Sequence, residues 1–498
     1  MYKRQFLGTI MITQQTTAPQ SEHHVGDTPM LIAGEWTEAA DGRWIDVESP
    51  RDRTVLGRVP RGGAEDVERA VTAAARAFPG WRELRPRDRG DLFRRIADAL
   101  EPEQERIARL LSLENGNAIR TQSRGEMQFV VDAFRYFAGV AGETKGESIP
   151  LNSLVLDYSR REPLGVVGAI VPWNAPLMLS ALKIAPALVS GNTLVLKLAE
   201  DAPLAVLAVA RICQEYLPEG VLNVITGYGT EAGEALTSHP AVAKLSFTGS
   251  TAVGRRIAEV CGREMKRQLM ELGGKGAALV LDDADIPSAV SGIGTTFSFY
   301  SGQICTAPTR VLAHRSVYDR LVEQLAAYAG RLKVGDPREP DTVVGPVISA
   351  AHRDRVESYV ELGRKEGAVV VAGGERPPLA TGFYIAPTLL ADCTNDMRVA
   401  REEIFGPVVC VIPFEEEEEG IALANDTDYG LIDYVWSRDV ARAFRVARRL
   451  RAGGVGVNTV GRNMEAPFGG FKKSGVGRDV GSYALHAYSE VQSIVWPG

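Results

Sequence analysis

Between residues 65 and 140 the apolar positions recur at helical spacing. Val67, Val71, Ala74 and Phe78 mark one face of a helix over 65–78, which Pro79-Gly80 is expected to stop. Leu92, Phe93, Ile96 and Leu100 form a second stripe. Pro102 opens a third helix carrying Ile107, Leu110 and Leu111, and the same period continues over 129–140. The first globular stretch therefore reads as mainly helical. Over 150–161 the period drops to two, with Leu154, Leu156 and Tyr158 alternating with Val155, Asp157 and Ser159. That pattern predicts an extended segment outside the main sheet. Residues 491–495 read as another strand of this kind.

From Gly165 the chain alternates apolar runs with helical stretches. Runs at 166–171, 193–196, 221–225 and 243–247 read as strands. Asp201 is placed to cap, and Pro203 to open, a helix reaching Tyr216, and Ser250 opens the next. This order predicts an α/β fold with a doubly wound parallel sheet. A second α/β region follows over 277–470, with candidate strands at 278–281, 369–371 and 408–412. The five acids at 415–419 suit the solvated first turn of a helix.

Composition narrows the class. A chain of 498 residues is too long for one core, so two or three domains are expected. The net charge of -7 argues against nucleic-acid or membrane-surface partners. Five cysteines without a CxxC pair make neither a disulfide framework nor a structural zinc site, so no metal is expected and a cytoplasmic setting suits the chain. No stretch is apolar enough to span a bilayer. Residues 1–26 are irregular and partly Gln/Thr-rich, and read as a disordered extension.

The candidate chemistry centres on Cys305, in Ser301-Gly302-Gln303-Ile304-Cys305-Thr306, whose small and polar neighbours do not suit a core strand. Cys213, Cys261, Cys393 and Cys410 sit in less distinctive surroundings. Upstream lies Glu271-Leu272-Gly273-Gly274-Lys275, a carboxylate beside Gly-rich backbone. Pro172-Trp173-Asn174-Ala175-Pro176 follows the strand at 166–171, at the end where doubly wound sheets bind ligands. Phe247-Thr248-Gly249-Ser250-Thr251, followed by Gly254, ends a strand and opens a helix. Its free N–H groups suit a pyrophosphate, though a plain helix cap would look the same. Gly227-Tyr228-Gly229 leads to Gly233, one residue too far for a G-x-G-x-x-G fingerprint. Four further segments stand out: Lys197-Leu198-Ala199-Glu200, Glu402-Glu403-Ile404-Phe405-Gly406-Pro407-Val408, Asn425-Asp426-Thr427-Asp428-Tyr429-Gly430-Leu431 and Pro467-Phe468-Gly469-Gly470-Phe471-Lys472-Lys473-Ser474-Gly475.

In order and spacing these segments resemble the NAD(P)-dependent aldehyde dehydrogenase superfamily, from roughly residue 30 to the C-terminus. The resemblance implies a cofactor domain over 27–143 and 163–274, a catalytic domain over 275–473, and a small β oligomerisation arm over 144–162 and 482–498. In such proteins the arm is expected to pair with the C-terminal strand of a partner subunit, which points to a homodimer or homotetramer; a hairpin within one chain is the other reading. Cys305 is then the nucleophile. It forms a thiohemiacetal with the aldehyde, hydride passes to NAD, and the thioester is hydrolysed with Glu271 as base. The Asn174 amide and the Cys305 N–H form the oxyanion hole. Lys183 matches a lysine near a proton relay, where a solvated helix lysine is the alternative.

The same resemblance assigns cofactor contacts to Trp173, Lys197, Glu200, Gly229, Gly233, Phe247, Gly249, Ser250, Thr251, Gly254, Leu272, Glu403 and Phe405. A carboxylate at Glu200 favours NAD, since it would repel a 2′-phosphate; Lys197 keeps NADP open. It places the substrate tunnel near Ala175, Leu179, Leu182, Phe299, Ile304, Thr306 and Phe468, a largely apolar pocket for medium-chain or aromatic aldehydes. Arg462 and Glu465, in the loop before Pro467, are in reach of polar substrates. Three positions depart from the pattern: Leu198 replaces a usual Pro, Ile432 replaces a small residue, and Asp433-Tyr434 follows it. The competing readings are a CoA-acylating enzyme, a non-redox cysteine esterase, and a scaffold with a dead site.

Overall fold

The computed structural model describes residues 24–152 and 155–497. Of the extension expected over 1–26, residues 1–23 lie outside the described residues. At its end the expectation is corrected: the Val25 N–H donates to the Leu56 carbonyl at 2.6 Å, and Gly26 pairs with Gly57. The first globular stretch is also less helical than its periodicity suggests. Five short strands, Gly26–Asp27, Met30–Ile32, Glu35–Thr37, Trp44–Glu48 and Val55–Pro60, precede the first helix. Their apolar runs are too short to show a period.

The helix Ala64–Arg82 runs through Pro79-Gly80 instead of stopping there. Pro79 cannot donate to the carbonyl one turn earlier, but the helix is anchored beyond it. Trp81 is buried and its indole N–H donates to the Leu188 carbonyl at 3.0 Å. Helices Pro86–Leu100, Gln104–Asn115 and Arg124–Val140 form a layer with Pro176–Val189 and Leu204–Gln214, sharing one core in which Phe93 meets Phe134 edge-on.

The first large sheet has eight strands, in the order Gly475–Val476, Arg267–Glu271, Val242–Thr248, Val166–Ile170, Thr193–Lys197, Leu222–Ile225, Met30–Ile32 and Glu35–Thr37. The middle five are parallel. From Val166–Ile170 the chain builds first to one side and then to the other, so a crevice opens at the carboxyl ends of Val166–Ile170 and Val242–Thr248. The second sheet has seven strands, parallel except for Val369–Ala372 at one edge, with Arg310–His314 and Ala277–Val280 near its centre.

Two helix starts are capped from a distance. Asp201 does not cap the helix Leu204–Gln214. Its Leu204 and Ala205 N–H groups donate to the Glu114 carboxylate at 2.7 and 2.8 Å. Likewise Leu177 and Met178, opening Pro176–Val189, donate to Glu126 at 2.9 and 3.2 Å. Both helix ends are buried, so their orphan N–H groups need an acceptor that water cannot supply.

Strands Ser148–Asn152, Val155–Pro163 and Ser489–Pro497 form a separate three-stranded sheet. The C-terminal strand pairs with the arm of its own chain, from Ser489 opposite Pro163 to Pro497 opposite Val155. The reason is the residue before it. Tyr488 is buried and its carbonyl accepts the Asn192 side-chain N–H at 2.8 Å, which delivers the terminal strand beside residue 163. Among the described residues no helix is long and apolar enough to cross a membrane.

Candidate active site

Cys305 lies in the loop between the helix Ile286–Ser298 and the strand Arg310–His314. Three successive residues before it, Tyr300, Ser301 and Gly302, adopt left-handed φ values of 51°, 55° and 73°. Such conformations cost energy for residues with a side chain and persist only where neighbours enforce them. Gln303 is the main clamp. Its side chain donates to the Tyr300 carbonyl at 3.0 Å and accepts from the Ile348 N–H at 2.9 Å. Ser301 donates to the Gly345 carbonyl at 2.9 Å. A Cβ at Gly302 would lie 2.1 Å from the Gly406 carbonyl carbon, so the Glu402–Val408 segment packs directly on this loop.

Asn174 stands at the crevice, after the strand Val166–Ile170. Its side-chain N–H donates to the Gln303 carbonyl at 2.8 Å, and its own carbonyl accepts from Asn117 at 3.0 Å. One amide hydrogen is thereby spent on fixing the nucleophile loop and the second is left for a ligand. Cys305 is half-buried. Burial, with the nearby charges of Glu403 and Glu271, pushes its thiol up to about 12; Arg462 and its own N–H pull the other way. The thiol is therefore protonated at neutral pH and needs a base.

Glu271 ends the strand Arg267–Glu271. It is buried, and among the described residues neither carboxylate oxygen has a hydrogen-bond partner. Burial first, and then the charge of Asp479, holds its pKa well above the usual carboxylate range, against Lys183 and Arg478. Lys183 is not a solvated helix lysine. It is fully buried in an ion pair with Asp479, whose second oxygen has no partner. Asp479 is held in place by a pair of backbone bonds to Phe468, at 2.7 and 2.8 Å. Sequence reasoning missed Asp479. It follows Ser474-Gly475-Val476-Gly477-Arg478, just beyond a recognised motif, and only the crossing of Gly475–Val476 back to the first sheet brings it under Glu271.

Ser474 ties the glycine-rich segments together. Its hydroxyl donates to the Gly273 carbonyl at 2.7 Å and accepts from the Gly430 N–H at 3.0 Å. The turn Asn425–Leu431 and the segment Pro467–Gly475 therefore buttress the Glu271–Gly274 turn. Gly274 is needed there, because a Cβ would lie 2.2 Å from the Cys305 carbonyl oxygen.

The expected cofactor residues gather on the carboxyl edge of the first sheet. Lys197 and Glu200 form an ion pair at 3.1 Å, with Lys197 almost fully buried. Leu198 is buried and its N–H donates to the Ile225 carbonyl at 3.0 Å, a bond that the usual proline could not make. Ser250 caps the helix Thr251–Arg263, accepting from Val253 at 3.4 Å, and the Thr248 hydroxyl beside it is buried without a partner. Gly249 is required because a Cβ would meet the Phe247 ring at 2.5 Å, and Gly254 because it would meet Leu272 at 2.4 Å. Phe247 is thus a core residue that shapes this edge from beneath. Gly229 and Gly233 lie in the short helical turn Gly229–Gly233, where a Cβ at either would meet nothing. Glu403 accepts the Gly274 N–H at 2.8 Å, and burial raises it to about 7. Phe405 adopts φ 62° and packs edge-on against Trp173, with centroids 5.7 Å apart. His352 completes this group: it lies 5.4 Å from Trp173, and its ring nitrogen meets the Phe405 carbonyl at 2.7 Å.

Among the expected substrate residues, Leu179, Phe299, Ile304 and Phe468 are partly exposed, whereas Ala175 and Leu182 are buried in the helical layer. Thr306 is also buried, and its carbonyl accepts the Tyr434 hydroxyl at 2.9 Å.

Comparison with known proteins gives the same assignment throughout. Residues 36–494 match the Aldehyde dehydrogenase family. An aldehyde dehydrogenase of Emericella nidulans is 40% identical over 492 residues, covering 98% of both chains. The NAD+ complex of an aldehyde dehydrogenase from Bacillus cereus superposes with a TM-score of 0.93 at 40% identity, over 95% of this chain and 96% of that one. PnpE bound to nicotinamide adenine dinucleotide, a protein known from Pseudomonas sp. WBC-3, gives 0.92 at 42%, over 94% of this chain and 97% of its own. With a thiol loop, an idle buried carboxyl and a sheet-edge crevice in one place, and relatives matched over nearly their full length, this chain belongs to the aldehyde dehydrogenase family.

Proposed function

We propose that the protein oxidises an aldehyde to a carboxylic acid through a Cys305 thioester, with NAD as the hydride acceptor. The observation that carries this reading is the pairing of a half-buried Cys305 thiol with a Glu271 carboxyl that is buried and makes no hydrogen bond. A structural carboxyl would be bonded. The carboxyl edge of the first sheet fits a dinucleotide. It offers the capped helix start at Ser250, the idle Thr248 hydroxyl and the Lys197–Glu200 pair for the adenosine ribose, with Glu403 and Phe405 toward the nicotinamide end. Bound there, NAD supplies the electron sink of the oxidation.

The chain's own residues do the rest. Cys305 gives up its proton and attacks the aldehyde carbon. The new oxyanion is met by the second Asn174 amide hydrogen and the Cys305 N–H. Asn174 is preorganised for this by its bond to Gln303, so the same residue fixes the loop and receives the charge. After oxidation, Glu271 removes a proton from the water that attacks the thioester. Its raised proton affinity makes it a stronger base than an exposed carboxylate, and the Lys183–Asp479 pair adjusts that affinity through charge.

Glu271 also favours water over CoA as acceptor. A non-redox esterase would have no use for Glu200, Glu403 or Phe405. The exposed apolar side chains of the arm sheet, among them Leu151, Val491, Val495 and Trp496, suit burial against another copy of the chain. The test is NADH formation across a panel of aldehydes with NAD and with NADP, with and without CoA. Cys305→Ala should abolish turnover while NAD binding persists. Ester cleavage without NAD, or product formation only with CoA, would replace this reading.

A further inference from the structure

The stretch Ile432-Asp433-Tyr434 departs from the family pattern, and the structure shows what it builds. Asp433 is absorbed by the sheet, accepting the Ala277 N–H at 2.8 Å. Tyr434 points the other way. Its hydroxyl donates to the carbonyl of Thr306, the residue after the nucleophile, and accepts from Arg462 Nη2 at 2.6 Å. The Arg462 guanidinium also stands 5.6 Å from the centre of the Tyr434 ring. Arg462 is thus two hydrogen bonds from the nucleophile loop, and its charge reaches the Cys305 thiol. It is exposed, and among the described residues it forms no ion pair with any Asp or Glu.

Some surface arginines sit against carboxylates, as Arg442 does with Asp282 and Glu417, and others, such as Arg255 and Arg320, do not; what sets Arg462 apart is that Tyr434 holds it beside the nucleophile loop. An arginine oriented by a tyrosine and left without a counter-ion, beside a reacting thiol, is a site for an anion. Its planar fork suits a carboxylate. Leu179, Phe299 and Phe468, expected to line the substrate tunnel, are partly exposed and apolar.

Resting on the proposed aldehyde oxidation, we infer that the substrate is an aldehyde whose far end carries a carboxylate, with an apolar or aromatic body, and that Arg462, oriented by Tyr434, selects it. The preference for plain medium-chain or aromatic aldehydes expected from the lining alone is then revised at one end of the molecule.

The test compares 4-carboxybenzaldehyde with 4-methylbenzaldehyde, and 4-oxobutanoate with butanal, on the full chain with NAD. The wild-type protein should favour the carboxylated member of each pair in kcat/KM. Arg462→Gln should reduce that ratio by roughly 10- to 100-fold, chiefly through KM, and Arg462→Lys should restore part of it. Tyr434→Phe, which frees the guanidinium, should reduce the ratio less. Equal loss on both members would show that Arg462 acts on Cys305 instead, and no wild-type preference would equally overturn the inference. Binding of terephthalate, read by calorimetry, needs no turnover. If no aldehyde yields NADH yet terephthalate binding is lost in Arg462→Gln, the anion site stands and the dehydrogenase reading falls.

Discussion

The helical layer behind the first sheet and the cleft in front of it both bury glutamates, and they use them differently. Behind the sheet, Glu114 and Glu126 each accept two backbone N–H groups at a helix start. Burial raises both to about 8, against the pull of those bonds. In the cleft, Glu271 is also buried and also raised, but it bonds nothing. Burial and a shifted pKa are therefore shared by hydrogen-bonded and unbonded carboxyls in this molecule. What separates them is hydrogen-bond satisfaction. A bonded carboxyl cannot swing to a water or a thiol without exposing two orphan N–H groups, while an unbonded one is free to act.

The largest effect is expected at Glu271. Glu271→Gln should lower steady-state turnover by roughly 100- to 1,000-fold while a first burst of NADH survives. Rapid-mixing absorbance would read both phases, and an unchanged steady state would remove Glu271 from hydrolysis. Its fold should barely change, since no bond is lost.

Next in size is Asp479→Asn. It strands a fully buried Lys183 cation, a loss of about 3–5 kcal/mol by denaturant unfolding. It also removes the charge that raises Glu271, so the acidic limb of the pH–rate profile should move to lower pH. A limb that stays put, or moves up, would show that Asp479 does not act on Glu271.

Glu114→Gln is the smallest. In the folded chain Glu114 keeps its proton up to about 8, and in the unfolded chain it loses it near 4.5. Its protonated form therefore adds stability that is complete below pH 4.5 and fades as the pH climbs toward 8. The neutral Gln should flatten that decline by on the order of 3 kcal/mol between pH 5 and 8, with turnover retained. Thermal unfolding across this range checks it, and a parallel pair of curves would mean the carboxyl is ionised throughout.

How much of this was legible beforehand can be judged residue by residue. Cys305 stands out because its small and polar neighbours do not suit a core strand, whereas Glu271 and Asn174 are assigned through the resemblance of their segments to the family pattern. Lys183 was found, but its burial was not, since a lysine on a helix carries no mark of which face it occupies. Asp479 was missed because it is distant in sequence from everything it touches. Asp201 looked like a cap on local grounds, but the work is done by Glu114, a helix away. Pro79 looked like a stop signal until Trp81 proved to be the anchor beyond it.

The chain's sequence by itself determined the alternation of strands and helices, the glycine positions and the order of the segments that resemble the family, because these follow from local periodicity and from the residues themselves. Tertiary structure alone decided which carboxyls are satisfied, where the terminal strand pairs and that Tyr434 holds Arg462 near Cys305. Those are questions of what lies opposite a side chain in space, and hydrogen bonds and charges act over ångströms without regard to distance along the chain.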